Sequence, residues 1–154
     1  MARRIYLDTS VIGGCFDEEF ADWSNRLFDE IRHGWWMAVV SDLTEAELRP
    51  APMEVKRVLA NLPPRAVERV TFGPEAERLA KRYVLESVVI EKHFADAQHI
   101  AVGTVARVDV LVSWNFRHVV NLDRIRAFNA VNLKTGYPML EIRSPREVFH
   151  EKGV

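Results

Sequence analysis

The chain has 154 residues, of which 48% are hydrophobic and 28% charged, so it fits one globular domain with a sizeable core. Its 21 basic and 22 acidic residues nearly balance, so a polyanion or a membrane surface would have to be met by a local patch. The single cysteine, Cys15, excludes an internal disulfide and a cysteine zinc cluster, and we interpret it as a packing residue. We find no signal peptide and no long apolar run, which predicts a cytoplasmic protein without membrane association.

Strand-like apolar runs alternate with helical patterns, which predicts an α/β fold with a parallel sheet and helices on both faces. We place the domain at residues 1–150 and a short tail at 151–154. The predicted strands cover 5–7, 35–40, 67–72, 109–113 and 139–142. The predicted helices cover Asp22–Gly34, Ser41–Leu48, Met53–Ala60, Ala76–Val84, His93–Gly103, Asn121–Asn129 and Ser144–Glu147, with Asp22 as a cap and Gly34 as a stop. Gly13 and Gly14 lack the spacing of a phosphate-binding loop and are predicted to form a turn.

The first candidate site residue is Asp8, which follows the first predicted strand in the segment LDTSVI. Ligands bind at the carboxyl edge of open parallel sheets, so this carboxylate is well placed for chemistry. The alternative is that Asp8 only caps the helix that follows.

Two more acids and an amide lie in comparable places. Glu47 follows the second strand on a helix where Leu43 and Ala46 are predicted to share its inward face, although solvent exposure is the common fate of a helical Glu. Asp96 lies in the first turn of a helix, where the dipole alone would favour it. Asn115 follows the strand 109–113. For His99 we predict a partly buried, hydrogen-bonded role, because the histidines lack the spacing of a zinc site.

In order and spacing, the segments LDTSVI, S-x-x-x-x-x-E-L, DAQHIAVG and SWNF resemble the PIN domain family, in particular the VapC-type toxin ribonucleases of toxin–antitoxin pairs. The resemblance spans nearly the whole chain and implies a three-layer α/β/α domain that cleaves single-stranded RNA with a bound metal. It implies an acidic quartet at Asp8, Glu47, Asp96 and the position of Asn115. Glu47 is matched rather than Glu45 because the family's glutamate directly precedes leucine.

Three converging carboxylates repel one another and favour a hard cation, Mg²⁺ or Mn²⁺. We assign Asp8 and Asp96 as metal ligands and Glu47 as the group that orients the attacking water. Asn115 stands where the commoner family residue is Asp, and we assign it to support the hydration shell or the phosphate. The residues predicted to contact the substrate or orient the site are Ser10, Lys92, His93, Ser113, Arg117 and His118.

The resemblance also implies an antitoxin of VapB type as a partner, single-stranded or structured RNA as substrate, and a homodimer. We predict the dimer surface at Pro50–Ala60, the helix before it, and the neighbourhood of Phe28, Trp35 and Trp36, although at least one of these tryptophans is expected to pack in the core. Two alternatives stay open. One is a weakly active or inactive PIN-fold interaction module, which Asn115 supports. The other is an aspartyl-phosphate enzyme with Asp8 as nucleophile, which Ser10 disfavours because a second carboxylate is expected there.

Overall fold

A computed structural model describes residues 2–149, so the predicted tail at 151–154 lies outside the described residues. The strands are β1 (Arg3–Leu7), β2 (Trp36–Ser41), β3 (Val67–Val70), β4 (Val110–Val112) and β5 (Ile142–Arg143). The helices are α1 (Thr9–Gly13), α2 (Ala21–Arg32), α3 (Asp42–Leu48), α4 (Met53–Ala60), α5 (Pro74–Leu85), α6 (Phe94–Val105) and α7 (Leu122–Lys134). Single 3-10 turns cover Gly14–Phe16, Pro64–Ala66, Glu91–His93 and Pro145–Glu147. Within residues 2–149, no helix combines the length and apolar character needed to cross a bilayer.

The five strands form one sheet in the order β3-β2-β1-β4-β5, and every neighbouring pair is parallel. The chain proceeds from β1 to β2 and β3 on one side, then returns to the other side of β1 for β4 and β5. The carboxyl ends of β1 and β4 therefore border the point where the strand order reverses, which is where open α/β sheets bind ligands.

The central strand β1 is buried on both faces, which explains its continuous apolar run. Tyr6 packs with residues of α5, α6 and α7 on one face of the sheet. Ile5 and Leu7 pack on the opposite face, against α1, α2 and α4. The predicted three-layer α/β/α architecture is therefore confirmed.

Several predicted boundaries shift. The last strand is Ile142–Arg143 rather than 139–142, because the buried Asn129 side chain bonds both the N–H and the carbonyl of Leu140 in place of a strand partner. Helix α7 continues past Asn129 to Lys134, and the predicted terminal helix is the single 3-10 turn Pro145–Glu147.

Two predicted local roles also differ. Asp22 lies in the first turn of α2 and does not cap it, since Phe20 occupies the N-cap position. Cys15 is buried as predicted, and burial raises the pKa of its thiol to about 11, which suits a packing residue.

Gly13 and Gly14 do not form the separate turn that was predicted, because both belong to helical elements. They end α1 and begin the 3-10 turn, with φ of −62° and −59°, values open to any residue. The reason for Gly14 is space: a Cβ there would lie 2.7 Å from Ser24 Oγ and 2.7 Å from Trp114 Nε1. Trp114 Nε1 donates a 2.9 Å hydrogen bond to that same Ser24 oxygen. The missing side chain lets α1 approach α2 and the segment after β4.

We expect Gly14→Ala to destabilise the protein by ~1–3 kcal/mol, because the added methyl overpacks a buried hydrogen-bonded pair. Urea unfolding followed by circular dichroism measures the change. Gly13→Ala is the matched control, since a Cβ at Gly13 meets no atom within 4 Å among the described residues. Equal stability of the two variants would show that the contact with Trp114 does not constrain position 14.

Candidate active site

Asp8 lies directly after β1, and its N–H donates to the carbonyl of Val112 on β4 at 3.1 Å. Its Oδ2 accepts hydrogen bonds of 2.7 Å from the hydroxyls of both Ser10 and Ser113. Asp8 occupies the N-cap position of α1, yet in the described part of the chain its side chain makes no capping bond. The capping alternative therefore does not account for this carboxylate, which two hydroxyls hold at the sheet edge.

The same two hydroxyls also fix the loop after β4. The N–H of Trp114 donates to Ser10 Oγ and the N–H of Asn115 donates to Ser113 Oγ, each at 3.0 Å. Ser113 is fully buried. Both serines therefore orient Asp8 and Asn115, and their predicted contact with a substrate stays a prediction.

Glu47 reaches the site from α3. The predicted inward face of this helix is wrong, since Thr44 and Leu48 are buried and Ala46 is exposed. Glu47 borders that buried face, and its Oε1 lies 2.7 Å from Nε2 of His99. Glu45 pairs with Arg69 on the surface instead, which agrees with the choice of Glu47 over Glu45.

His99 is the residue that sequence reasoning undervalued. It is only 4% exposed, one turn after Asp96 on α6. Its Nδ1 lies 2.7 Å from the hydroxyl of Tyr6, which in turn lies 2.8 Å from Ser41 Oγ. The predicted buried, hydrogen-bonded role is confirmed. Tyr6 interrupts the apolar run of β1, but that segment alone does not identify its partners.

Asp96 and Asn115 contact each other. Asn115 Nδ2 lies 3.4 Å from each carboxylate oxygen of Asp96, while its Oδ1 accepts a 2.9 Å bond from the N–H of His118. The backbone donor fixes which way the amide points. Asn115 therefore directs its amide nitrogen to Asp96, and its Oδ1 already accepts the hydrogen bond from the N–H of His118.

The electrostatics of the acids differ with their partners. Burial and then the charge of Asp8 raise the pKa of Asp96. Burial acts to raise the pKa of Glu47 and to lower that of His99. Their mutual hydrogen bond and charges outweigh it, and at His99 the charges of Asp8 and Asp96 add to the effect. The pKa of Glu47 is therefore lowered and that of His99 raised. The pocket thus holds one desolvated carboxylate beside the charge of Asp8 and one acid–imidazole pair.

The acid–imidazole pair predicts a pH window in the metal-free protein. The raised pKa of His99 gives stability that is present below its ordinary 6.5 and lost as pH rises through the folded value. The lowered pKa of Glu47 gives stability that is present above its ordinary 4.5 and lost as pH falls through the folded value. We expect Glu47→Gln, which keeps the acceptor but not the charge, to lower the Tm most between about pH 4.5 and 6.5.

Thermal melts in EDTA from pH 4 to 9 measure this difference between parent and variant. Glu45→Gln, which changes a surface pair in the same helix, is the matched control. If the Tm difference between the parent and Glu47→Gln is the same at every pH, the interaction between charged Glu47 and charged His99 is contradicted.

Asp8, Glu47 and His99 offer ligand atoms that all lie within 4.8 Å of one another, which is a suitable spacing for one metal ion. Asp8 Oδ1 lies 3.9 Å from His99 Nε2. Asp96 adds a third carboxylate beside Asp8. Two or three carboxylates suit a hard divalent cation, and an imidazole nitrogen is also compatible with Mn²⁺. The donor set therefore fits the expected cation, with His99 in the group where the sequence suggested Asp96.

The other four predicted substrate-contact residues, Lys92, His93, Arg117 and His118, form a basic cluster next to Asp96 and Asn115. The rings of His93 and His118 stack with centroids 3.7 Å apart. Burial and the charges of the neighbouring basic residues lower the pKa of His118; these neighbours are His93, Arg117, Arg124 and Lys92. Arg124 was not predicted, because it lies nine positions after Asn115 and joins the cluster only through the fold.

The predicted dimer surface is partly wrong. Phe28 is fully buried and Trp36 is 4% exposed, so neither offers surface. Trp35 and Met53 are 58% and 60% exposed. Trp36 begins β2 and packs in the core, as expected for at least one of the two tryptophans, whereas Trp35 precedes the strand.

No family model matches this chain, and no curated protein matches it either. Among solved structures, it is similar to a chain in the crystal structure of VapBC2 from Rickettsia felis bound to a DNA fragment from their promoter. The TM-score is 0.58 at 13% sequence identity, and the match covers 92% of this chain and 98% of that one. At this identity the likeness shows the fold alone, and it confirms the PIN-like α/β fold that the VapC-type resemblance implied.

Proposed function

We propose that this protein is a metal-dependent endoribonuclease that cleaves phosphodiester bonds of single-stranded RNA, and that it is the toxin of a type II toxin–antitoxin pair. The observation that carries the proposal is the convergence of Asp8, Glu47 and Asp96 at the reversal point of the sheet. A desolvated Asp96 beside Asp8 is a costly arrangement that a divalent cation would relieve. Such tension between neighbouring ionisable groups is typical of functional sites.

Each residue then has a distinct task. Asp8 and Asp96 hold the cation, Mg²⁺ or Mn²⁺, with Asp8 oriented by Ser10 and Ser113. When bound, the cation would neutralise the carboxylates, activate water and polarise the scissile phosphate. Glu47 orients the attacking water, and His99 fixes the Glu47 carboxylate through the 2.7 Å contact. Asn115 orients Asp96 rather than contributing a charge.

We assign substrate binding to the basic cluster. Lys92, His93, Arg117 and His118 lie beside the acids and would contact phosphates that flank the cleavage point. The near-zero net charge makes this local cluster the source of attraction to RNA. An unstacked strand exposes its backbone and bases to a shallow site in a way that a duplex does not.

The resemblance to VapC-type toxins and the structural likeness to VapBC2 support an antitoxin of VapB type as the protein partner. The same resemblance supports a homodimer and a cytoplasmic location. Trp35 and Met53 are exposed residues of the predicted dimer surface.

The test is cleavage of a fluorogenic single-stranded RNA by the purified protein with Mn²⁺, with Mg²⁺ and in EDTA. We expect cleavage with either ion, none in EDTA, and less with a duplex of the same sequence. Asp8→Asn, purified in parallel, controls for contaminating nucleases. Equal cleavage by parent and Asp8→Asn, or by parent in EDTA, would overturn the proposal.

One observation favours a second function, a weakly active or inactive interaction module. Asn115 leaves the quartet with three acids, so a cation would be held less firmly than by four. An antitoxin-like peptide bound tightly by a protein that does not cleave RNA with either ion would support this alternative.

A further inference from the structure

The side chains of Ser113–Phe116 make two sets of contacts. Ser113 and Asn115 contact Asp8 and Asp96. Trp114 and Phe116 turn to Phe20 instead, with ring centroids 4.2 Å and 6.4 Å from that of Phe20. The Trp114 and Phe116 rings lie 6.1 Å apart. Three aromatic rings therefore cluster one residue away from the candidate active site, and we call them the aromatic platform.

The inner part of the platform is rigid. Trp114 is 6% exposed, stacks on Phe20 at an interplanar angle of 14°, and donates from Nε1 to Ser24 Oγ. Phe116 is different, since it is 47% exposed. Its backbone is nevertheless fixed, because its N–H donates to the carbonyl of Trp114 and its own carbonyl accepts from Asn121 Nδ2. The fold thus holds an exposed aromatic ring in a defined position, at little further entropic cost on binding.

We propose that Phe116 is a nucleobase-stacking residue, which holds an unpaired base of the nucleotide next to the scissile phosphate. This inference rests on the proposed function and deepens it, because it names the feature of the substrate that is recognised. Every base offers a π-face, so stacking selects an unpaired strand without selecting a sequence.

The surroundings of Phe116 favour a base over an apolar peptide. Asn115, which contacts Asp96, directly precedes Phe116, and Arg117 and His118 directly follow it. An occupant must therefore bring an aromatic face, together with negative charge that the cation and the basic cluster can bind. A nucleotide carries both groups one unit apart. A duplex buries the faces of its bases, so Phe116 would add to the preference for single strands.

The experiment measures binding rather than cleavage. Fluorescence anisotropy in EDTA at low ionic strength gives the Kd of a labelled oligouridylate, and of an oligonucleotide of equal length and charge whose bases are replaced by abasic units. The proteins are the parent, Phe116→Ala, Phe116→Tyr and Leu85→Ala. Leu85 is 74% exposed on α5, a helix that packs on the opposite face of the sheet, and controls for loss of an exposed apolar side chain.

We expect Phe116→Ala to weaken binding of oligouridylate by about fivefold to a hundredfold. Phe116→Tyr and Leu85→Ala should bind like the parent, and all four proteins should bind the abasic strand equally. Unchanged affinity of Phe116→Ala for oligouridylate would overturn the inference and leave this surface to a protein partner. An equal loss on both strands would also overturn it, since charge rather than stacking would be affected. A parent that shows base-dependent binding but does not cleave RNA with metal would overturn the proposed function alone.

Discussion

Asp96→Asn is expected to reduce RNA cleavage on the order of a hundredfold or more, which corresponds to ~2.7 kcal/mol of lost transition-state stabilisation. The substitution keeps the shape of the side chain but removes one of three negative charges. The number of charged oxygen ligands is a main control of divalent affinity, so Mn²⁺ binding should weaken in parallel.

The same variant should gain stability without metal. The raised pKa of Asp96 means that its ionised form is penalised in the folded state, and this penalty grows as pH rises above the ordinary value of 3.8. At neutral pH in EDTA, the neutral amide should therefore raise the Tm. Lower activity together with higher apo stability separates a functional acid from a structural one.

Calorimetric Mn²⁺ titration, the fluorogenic RNA assay and melts in EDTA measure these three effects. Asp22→Asn is the matched control, since it makes the same change at an exposed acid in the first turn of α2. If Asp96 only served its helix dipole, both variants would lose a little stability and neither would lose activity. Cleavage by Asp96→Asn at the parental rate would contradict the three-carboxylate mechanism.

Asn115→Asp should tighten divalent binding and raise cleavage, each by about tenfold, because it supplies a fourth anionic side chain at nearly constant shape. One carboxylate oxygen can still accept the N–H of His118. The other replaces the amide nitrogen that now faces Asp96, so without metal the two carboxylates would repel each other. We therefore expect the metal-free variant to have a lower Tm than the parent, with a larger rise on adding Mn²⁺.

The titration and assay described for Asp96→Asn apply here. Asn61→Asp is the matched control, since it adds one charge at an exposed residue that ends α4. Similar gains from both variants would mean that net charge, rather than a fourth carboxylate in the site, controls metal binding.

The alternation of strands and helices along the chain, and the places of Asp8, Glu47 and Asp96 within it, could be predicted because the relevant signals are local. A buried strand followed by an acid is readable within a few residues, and the carboxyl ends of parallel strands share one edge. The resemblance to the PIN family then selected Glu47 over Glu45. The catalytic and metal-binding roles of these residues remain proposals.

What could not be predicted depends on contacts distant in sequence. The link from Tyr6 to His99 to Glu47 joins three elements, and nothing in each segment alone indicates it. The need for Gly14 arises from Trp114, a hundred positions away. The short last strand depends on Asn129 bonding to Leu140, which replaces a strand partner that sequence periodicity would assume.

Anomalous diffraction from crystals soaked in Mn²⁺ tests the central claim most directly. We predict a strong peak between the carboxylates of Asp8 and Asp96, absent from Asp96→Asn crystals treated in the same way. A peak held by Asp8, Glu47 and His99 alone would keep the metal site but remove Asp96 as a ligand. Crystals that diffract well, with no anomalous peak within bonding distance of Asp8, would contradict the claim that this site holds a catalytic cation.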